Sequence, residues 1–381
     1  MEPSNEESEP MIKKLNNDDA IDRLNYRYTS LFLAFLILFF GFKYYVNAPP
    51  IKCWLPDEIE ESSKKYVENY CYFENTYFVS GAENEEFPLE LLEGERYEQS
   101  YYRWIPTLLF FQLGLFLLPK YFWNILSWKT GLSVTRIINR SSYCSAKCGE
   151  TSEASYAARH IRCVIVFNSR LHSCCGVNSL SFKYFLFKLL NFFNTYIQLL
   201  MLIRFLPSST FGGFGLVRDL MNGNNWKLTG QFPRVTLCDF MFRNETTTLP
   251  IHATVKCLLT NNHFNEWLYI ILWFWIFALN FLNFINLFYW LFTSAKNEWK
   301  IYFIQRQLDF AGKNCSEVEV LEFIKKWIKM DGITALRLIN GNCGVSISSK
   351  IVAAMYDEYQ LKTAKEVGNA FSRKRQNLTA V

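Results

Sequence analysis

Four cysteines offer the most definite chemistry in this sequence. Cys53 and Cys71 share one polar segment, Cys238 and Cys257 share another, and each segment lies between strongly apolar stretches. Thiols on the oxidising side of a membrane become disulfides. Such bonds matter most in loops too small to hold themselves by apolar burial, at about 2–4 kcal/mol each. Four cysteines allow three connectivities, so one bridge within each segment and two bridges across them both remain open from spacing alone. The other seven of the 11 cysteines, Cys144, Cys148, Cys163, Cys174, Cys175, Cys315 and Cys343, fall in segments expected in reducing cytosol. Cys144, Cys148, His160, Cys163, His172 and Cys174 lie near one another along the chain. Their spacings match no compact ligand pair of structural zinc, so reduced thiols are expected and no metal. With four histidines in all, no HExxH, no phosphate loop and no GxSxG, the chain is expected to be no enzyme and to need no cofactor.

The elements that position those cysteines are membrane helices. A helix needs about 20 largely apolar residues to cross a hydrocarbon core roughly 30 Å thick. Four stretches qualify: residues 29–46, 101–126, 182–206 and 267–292, the last without a single charge. The first begins too far into the chain and runs too long to be a signal peptide, and it lacks a small-residue cleavage site. The expected fold is therefore an all-α membrane protein with four transmembrane helices and disulfide-bonded extracellular loops at 47–100 and 207–266. A cytoplasmic N-terminal segment at 1–28, a cytoplasmic loop at 127–181, a cytoplasmic helical domain at 293–365 and a disordered tail at 366–381 complete it.

Sidedness comes from the basic residues, which cytoplasmic loops retain. Residues 127–181 carry seven basic and two acidic side chains, and the chain beyond Thr293 carries 14 basic ones. Residues 47–103 carry five basic against 13 acidic, and 207–266 carry five basic. Both termini are thus expected in the cytosol of a multi-pass plasma-membrane protein. The net charge of +5 reports this topology and implies no nucleic-acid partner.

Several local motifs resemble one family, the innexins, which form gap junctions and unpaired hemichannels in invertebrates. Asp18, Asp19 and the run Asp22-Arg23-Leu24-Asn25-Tyr26 are similar to the innexin approach to the first span, and Pro50-Ile51-Lys52-Cys53-Trp54-Leu55-Pro56 to the segment that follows it. Tyr101-Tyr102-Arg103-Trp104-Ile105-Pro106 resembles the family signature at the second span, with Arg103 in place of the usual Gln. Phe232-Pro233-Arg234-Val235-Thr236-Leu237-Cys238-Asp239-Phe240, Phe264-Asn265-Glu266 and Asp331-Gly332 extend the similarity from about Asp18 to Tyr359.

The resemblance implies a pore-forming subunit that joins other innexin subunits, identical or different, in a ring of about eight within membrane lipid and docks to a ring on an adjacent cell. It implies cross-loop pairing, Cys53 with Cys257 and Cys71 with Cys238. It also implies a pore lined by the N-terminal segment and first span, which makes Glu2, Glu6, Glu7, Glu9 and Lys43 the candidates for pore selectivity. The alternative reading is a four-span adhesion or scaffold protein without a pore.

Other expectations rest on the residues themselves. Asn191, Asn194 and Gln198 on the third span and Asn280, Asn283 and Asn286 on the fourth are expected to hydrogen-bond between helices. Lys188 and Arg204, near the ends of the third span, are expected to snorkel. Pro106 removes a backbone donor within the second span and is expected to bend it. In the cytoplasmic domain, Ser316 and Glu319 form a capping box ahead of an apolar stripe that Asp331-Gly332 is expected to stop. Asn244-Glu245-Thr246 is the one glycosylation sequon on the expected outer side. The terminal Thr379-Ala380-Val381 would fit the groove of a PDZ protein.

Overall fold

The computed structural model describes residues 17–46, 50–55, 61–74, 76–79, 97–98, 100–128, 150–171, 180–205, 232–243 and 250–379, with residues 135, 137 and 222 in addition. Four helices are long and apolar enough to cross a membrane: Ala20–Lys43, Tyr101–Trp128, Leu180–Phe205 and Asn262–Ala295. The first is a composite of α1 (Ala20–Arg23), a π-helical turn (Leu24–Thr29) and α2 (Ser30–Val46). Asp19 caps it, its carboxylate accepting from the Ala20 amide at 2.7 Å, while the Asp22 carboxylate returns to the Asp19 amide at 3.2 Å. Along α2, Leu31, Phe35, Leu38 and Phe42 are exposed at helical spacing. An apolar stripe of that kind is unremarkable on a surface bathed in lipid or covered by another subunit.

The chain divides into two compact units, and the division falls inside all four spans. One unit, residues 25–118 and 192–282, contains a five-stranded sheet. The strands β1 (Ile51–Trp54), β2 (Thr76–Phe78), β3 (Tyr97–Glu98), β4 (Val235–Arg243) and β5 (Pro250–Leu259) pair antiparallel in the order β1-β5-β4-β2-β3. Three strands come from the first outer loop and two from the second. The helix α3 (Glu61–Phe73) adds Val67 and Cys71, one turn apart and both buried. All-helical packing holds for the spans, and the loops add this sheet to it.

The other unit, residues 1–24, 119–191 and 283–381, is helical among its described residues. It contains parts of α4 (Tyr101–Trp128), α6 (Leu180–Phe205) and α7 (Asn262–Ala295), together with α5 (Glu150–Leu171), α8 (Asn297–Phe310), α9 (Glu317–Phe323), α10 (Lys329–Cys343) and α11 (Val345–Thr379). One continuous apolar core runs from Trp123 through Ile161, Phe323, Trp327 and Leu336 to Tyr356. The capping box forms: the Ser316 hydroxyl accepts from the Glu319 amide at 3.4 Å, and the Glu319 carboxylate accepts from the Ser316 amide at 3.4 Å.

Two expectations about this unit need correction. The helical run does not stop at Asp331-Gly332. It breaks at Lys329, whose φ of 55° is in the left-handed region, and α10 then passes straight through Gly332. That glycine serves close packing instead, since a Cβ there would meet Ile328 at 2.6 Å and Ile165 at 3.0 Å. The stretch from 366 onward, expected to be a disordered tail, is part of α11, which extends to Thr379. Its Ala, Glu, Lys, Arg and Gln residues have high helix propensity, and a preformed N-terminal half removes the cost of nucleation.

Candidate functional site

In β1 and β5, Cys53 and Cys257 are direct cross-strand partners, and a disulfide joins them across 204 residues of sequence. A second disulfide joins Cys71, at the end of α3, to Cys238 in β4 across 167 residues. Three of these sulfurs, from Cys53, Cys71 and Cys257, lie within 4.8 Å of one another, but both pairs are oxidised and offer no thiolate to a metal. The two outer loops are thereby one covalently closed sheet. Among its described residues Ile51, Phe78, Leu237, Val255 and Leu259 are buried, and the two bonds add to that burial by restricting the unfolded loops.

The signature aromatics anchor this sheet to the second span. Tyr101 donates to the Asn262 side chain at 2.7 Å, and Asn262 donates to the Pro233 carbonyl at 2.6 Å just before β4. Tyr102 donates to the Tyr72 carbonyl at 2.9 Å, and Arg103 to the Phe73 carbonyl. The arginine that departs from the family signature thus caps the free end of α3, where backbone carbonyls lack helical partners. Trp104 points outward, 58% exposed. Pro106 lies in the second turn of α4, which continues past it to Trp128. Lys43 is half-buried, its ammonium stacked on the Phe264 ring 2.9 Å from the centroid. Glu2, Glu6, Glu7, Glu9, Asn244 and Val381 lie outside the described residues.

The helical unit contains a site that sequence reasoning missed. Lys188 does not snorkel: with its side chain 2% exposed, it meets the Asp22 carboxylate at 2.8 Å and Asp19 at 3.5 Å. Asp22, fully buried, also accepts from Tyr184 at 3.0 Å and Asn191 at 3.1 Å. With its amide nitrogen toward Asp19 (3.1 Å) and its oxygen toward Lys188 (2.7 Å), Asn286 completes the set. Asp18 pairs with Lys120, and Asn342 donates to the Asp18 carbonyl at 3.1 Å. Burial opposes ionisation of Asp19, yet Lys188, the Ala20 amide and the Trp290 indole outweigh it and hold the carboxyl below its ordinary 3.8. The signal was available, because a lysine inside an apolar span calls for a named partner. Elsewhere, Asn280 donates to Thr195 at 3.1 Å and Gln198 to the Gln112 carbonyl at 3.2 Å, interhelical bonds of the expected kind.

The model of the family described as Innexin matches residues 18–359. This chain belongs to the innexin family. It is 31% identical over 372 residues to Innexin unc-9 of Caenorhabditis elegans, covering 90% of this chain and 92% of that one. To Innexin-16 of the same organism it is 33% identical over 345 residues, covering 90% of each. Innexin-19 of Caenorhabditis briggsae is 31% identical over 394 residues, covering 92% of this innexin and 88% of its own length. As an innexin, the chain is a gap-junction channel subunit, and the four spans and two cross-loop disulfides are the parts such a subunit needs.

Proposed function

We propose that this innexin assembles as a ring of about eight subunits, with both termini in the cytosol and the disulfide-closed sheet as the face that docks to a ring on the next cell. The observation that carries the reading is the joining of both outer loops into one sheet by two bonds of long sequence separation. A docking face must keep its shape without a partner, and two cross-links deny the loops independent motion. Sidedness is supported by the count of basic residues. An adhesion protein would also use a rigid outer face, but nothing in the spans favours that reading over the family's channel activity.

The N-terminal segment beyond Asn17 is proposed to line the pore. There Glu2, Glu6, Glu7 and Glu9 would form carboxylate rings that favour cations. Lys43 is the weaker candidate, since its stacking on Phe264 occupies the ammonium. Asn244 is proposed to carry a glycan that weakens docking without preventing it, and Val381 to bind a PDZ partner. Recording from paired cells tests the whole reading. Junctional current between pairs is expected, with Asn244→Gln equal or stronger. Membrane current in single cells without junctional current in either form would mean a dedicated hemichannel, and no current at all would favour adhesion. Reversal potentials under a salt gradient test the glutamates, and anion preference would count against their role.

A further inference from the structure

At the C-terminal end of α7, the helical unit holds a cavity of about 380 Å³ whose lining includes three cationic side chains, Lys300, Arg306 and Arg337. That volume lies within the range of small-ligand sites. Lys300 is only 9% exposed, and among the described residues its side chain donates to the neutral Asn297 side chain at 3.2 Å. Arg337 donates to the Thr293 hydroxyl at 2.6 Å and stacks on Trp290, its guanidinium carbon 4.0 Å from the ring centroid. Among the described residues no carboxylate lies within 4.0 Å of any of the three cations. The one acid in the lining, Asp19, is already engaged by Lys188 and Trp290. Burial disfavours the charged form of both Lys300 and Arg337, a cost that an anion would relieve.

The surroundings narrow the class of anion. The first turn of α8 lines the cavity through Trp299 and Lys300 and begins with no side-chain cap, with Glu298 the one acidic residue in that turn, so backbone amides there remain available to an anion. Trp299 and Tyr302, both on the lining, are 45% and 60% exposed where a membrane-spanning helix has just ended. Amphipathic aromatics at that position sit at headgroup level, and basic pockets there hold lipid phosphates.

We propose that this cavity binds a phosphate-bearing anion, with Lys300, Arg306 and Arg337 as its cationic ligands. The shared chemistry admits two sources, the phosphorylated headgroup of an anionic lipid and a soluble phosphate. The lipid source rests on the cytosolic placement of this unit proposed above.

Binding to the purified full-length protein in detergent tests the cavity whether or not paired cells couple. The probes are dioctanoyl phosphatidylinositol bisphosphate, inositol trisphosphate and dioctanoyl phosphatidylcholine, measured by thermophoresis at physiological salt. Saturable binding of the bisphosphate lipid but not the choline lipid is expected. Arg306→Gln should weaken it roughly threefold and Lys300→Gln/Arg306→Gln roughly tenfold, as charge-assisted contacts are lost, while Lys365→Gln, an exposed charge elsewhere on the same unit, changes nothing. Inositol trisphosphate binding as tightly as the lipid assigns the soluble source, and weaker binding assigns the headgroup. Absence of saturable binding, equal affinity in the double variant, or an equal loss with Lys365→Gln would overturn the proposal. Arg306 is exposed and outside the core, so the single variant keeps the test valid if the double variant proves unstable.

Discussion

The two units of this innexin solve one problem, fixing chain segments far apart in sequence, by opposite means. In the outer sheet, buried side chains such as Ile51, Phe78, Leu237 and Val255 are supplemented by two covalent bonds. The helical unit has a core running from Trp123 to Tyr356 and uses no disulfide among its described residues, placing Asp22 and Lys188 inside that packing instead. Covalent closure acts on the unfolded ensemble and does not depend on the charge or packing of the groups around it. A buried ion pair gives geometry rather than net stability, and it is safe only while both partners are present.

The contrast is broken most directly at the ion pair. Lys188→Met should leave Asp22 buried without its cation and cost about 3–5 kcal/mol, whereas Asp22→Asn/Lys188→Met should cost clearly less than the two single losses combined. Thermal unfolding of the detergent-solubilised protein measures both, and strict additivity would show that the pair does not act as a unit. Acid sharpens the same point. Asp19 has a folded pKa below 3.8, so its contribution to stability is complete above that pH and is lost as the pH falls below it toward the lower folded value. In Asp19→Asn that part of the acid sensitivity should be missing.

Removing one disulfide is the next largest effect. Cys71→Ser/Cys238→Ser should cost about 2–4 kcal/mol and abolish docking, read as lost junctional current, while leaving the helical unit's hydrogen-exchange protection unchanged. Equal loss of protection in both units would erase the distinction drawn between them.

A smaller effect is expected among the free thiols. Burial raises the pKa of Cys343 to about 11, whereas Cys163 is exposed. The Cys343 thiol is then favoured in the folded state at neutral pH, and the stability tied to it is lost only as the pH rises from 9.0 through about 11. Peptide mapping after maleimide treatment at pH 8 should find Cys163 modified at least about tenfold faster than Cys343. Least of all, Glu322→Gln should leave unfolding within error, because its pairing with Lys326 at 2.7 Å is between exposed side chains.

Sequence alone determined the spans and the composition of the outer rim. An uncharged, largely apolar run of 26 residues such as 267–292 has no alternative in water, and membrane thickness sets its length. The Ser316 capping box was legible for a similar reason, since a cap is a bond between residues three apart. What only the tertiary structure decided depends on partners distant in the chain. Cysteine spacing left three connectivities open, and strand register opposed Cys53 to Cys257. Lys188 read as a snorkelling residue because its acids lie 166 and 169 positions away. Gly332 read as a helix stop, although its role is to let Ile165 and Ile328 approach. The cavity beside Lys300 was invisible for the same physical reason: local bonding has a sequence period, but a site built from α7, α8 and α10 exists only where those helices meet.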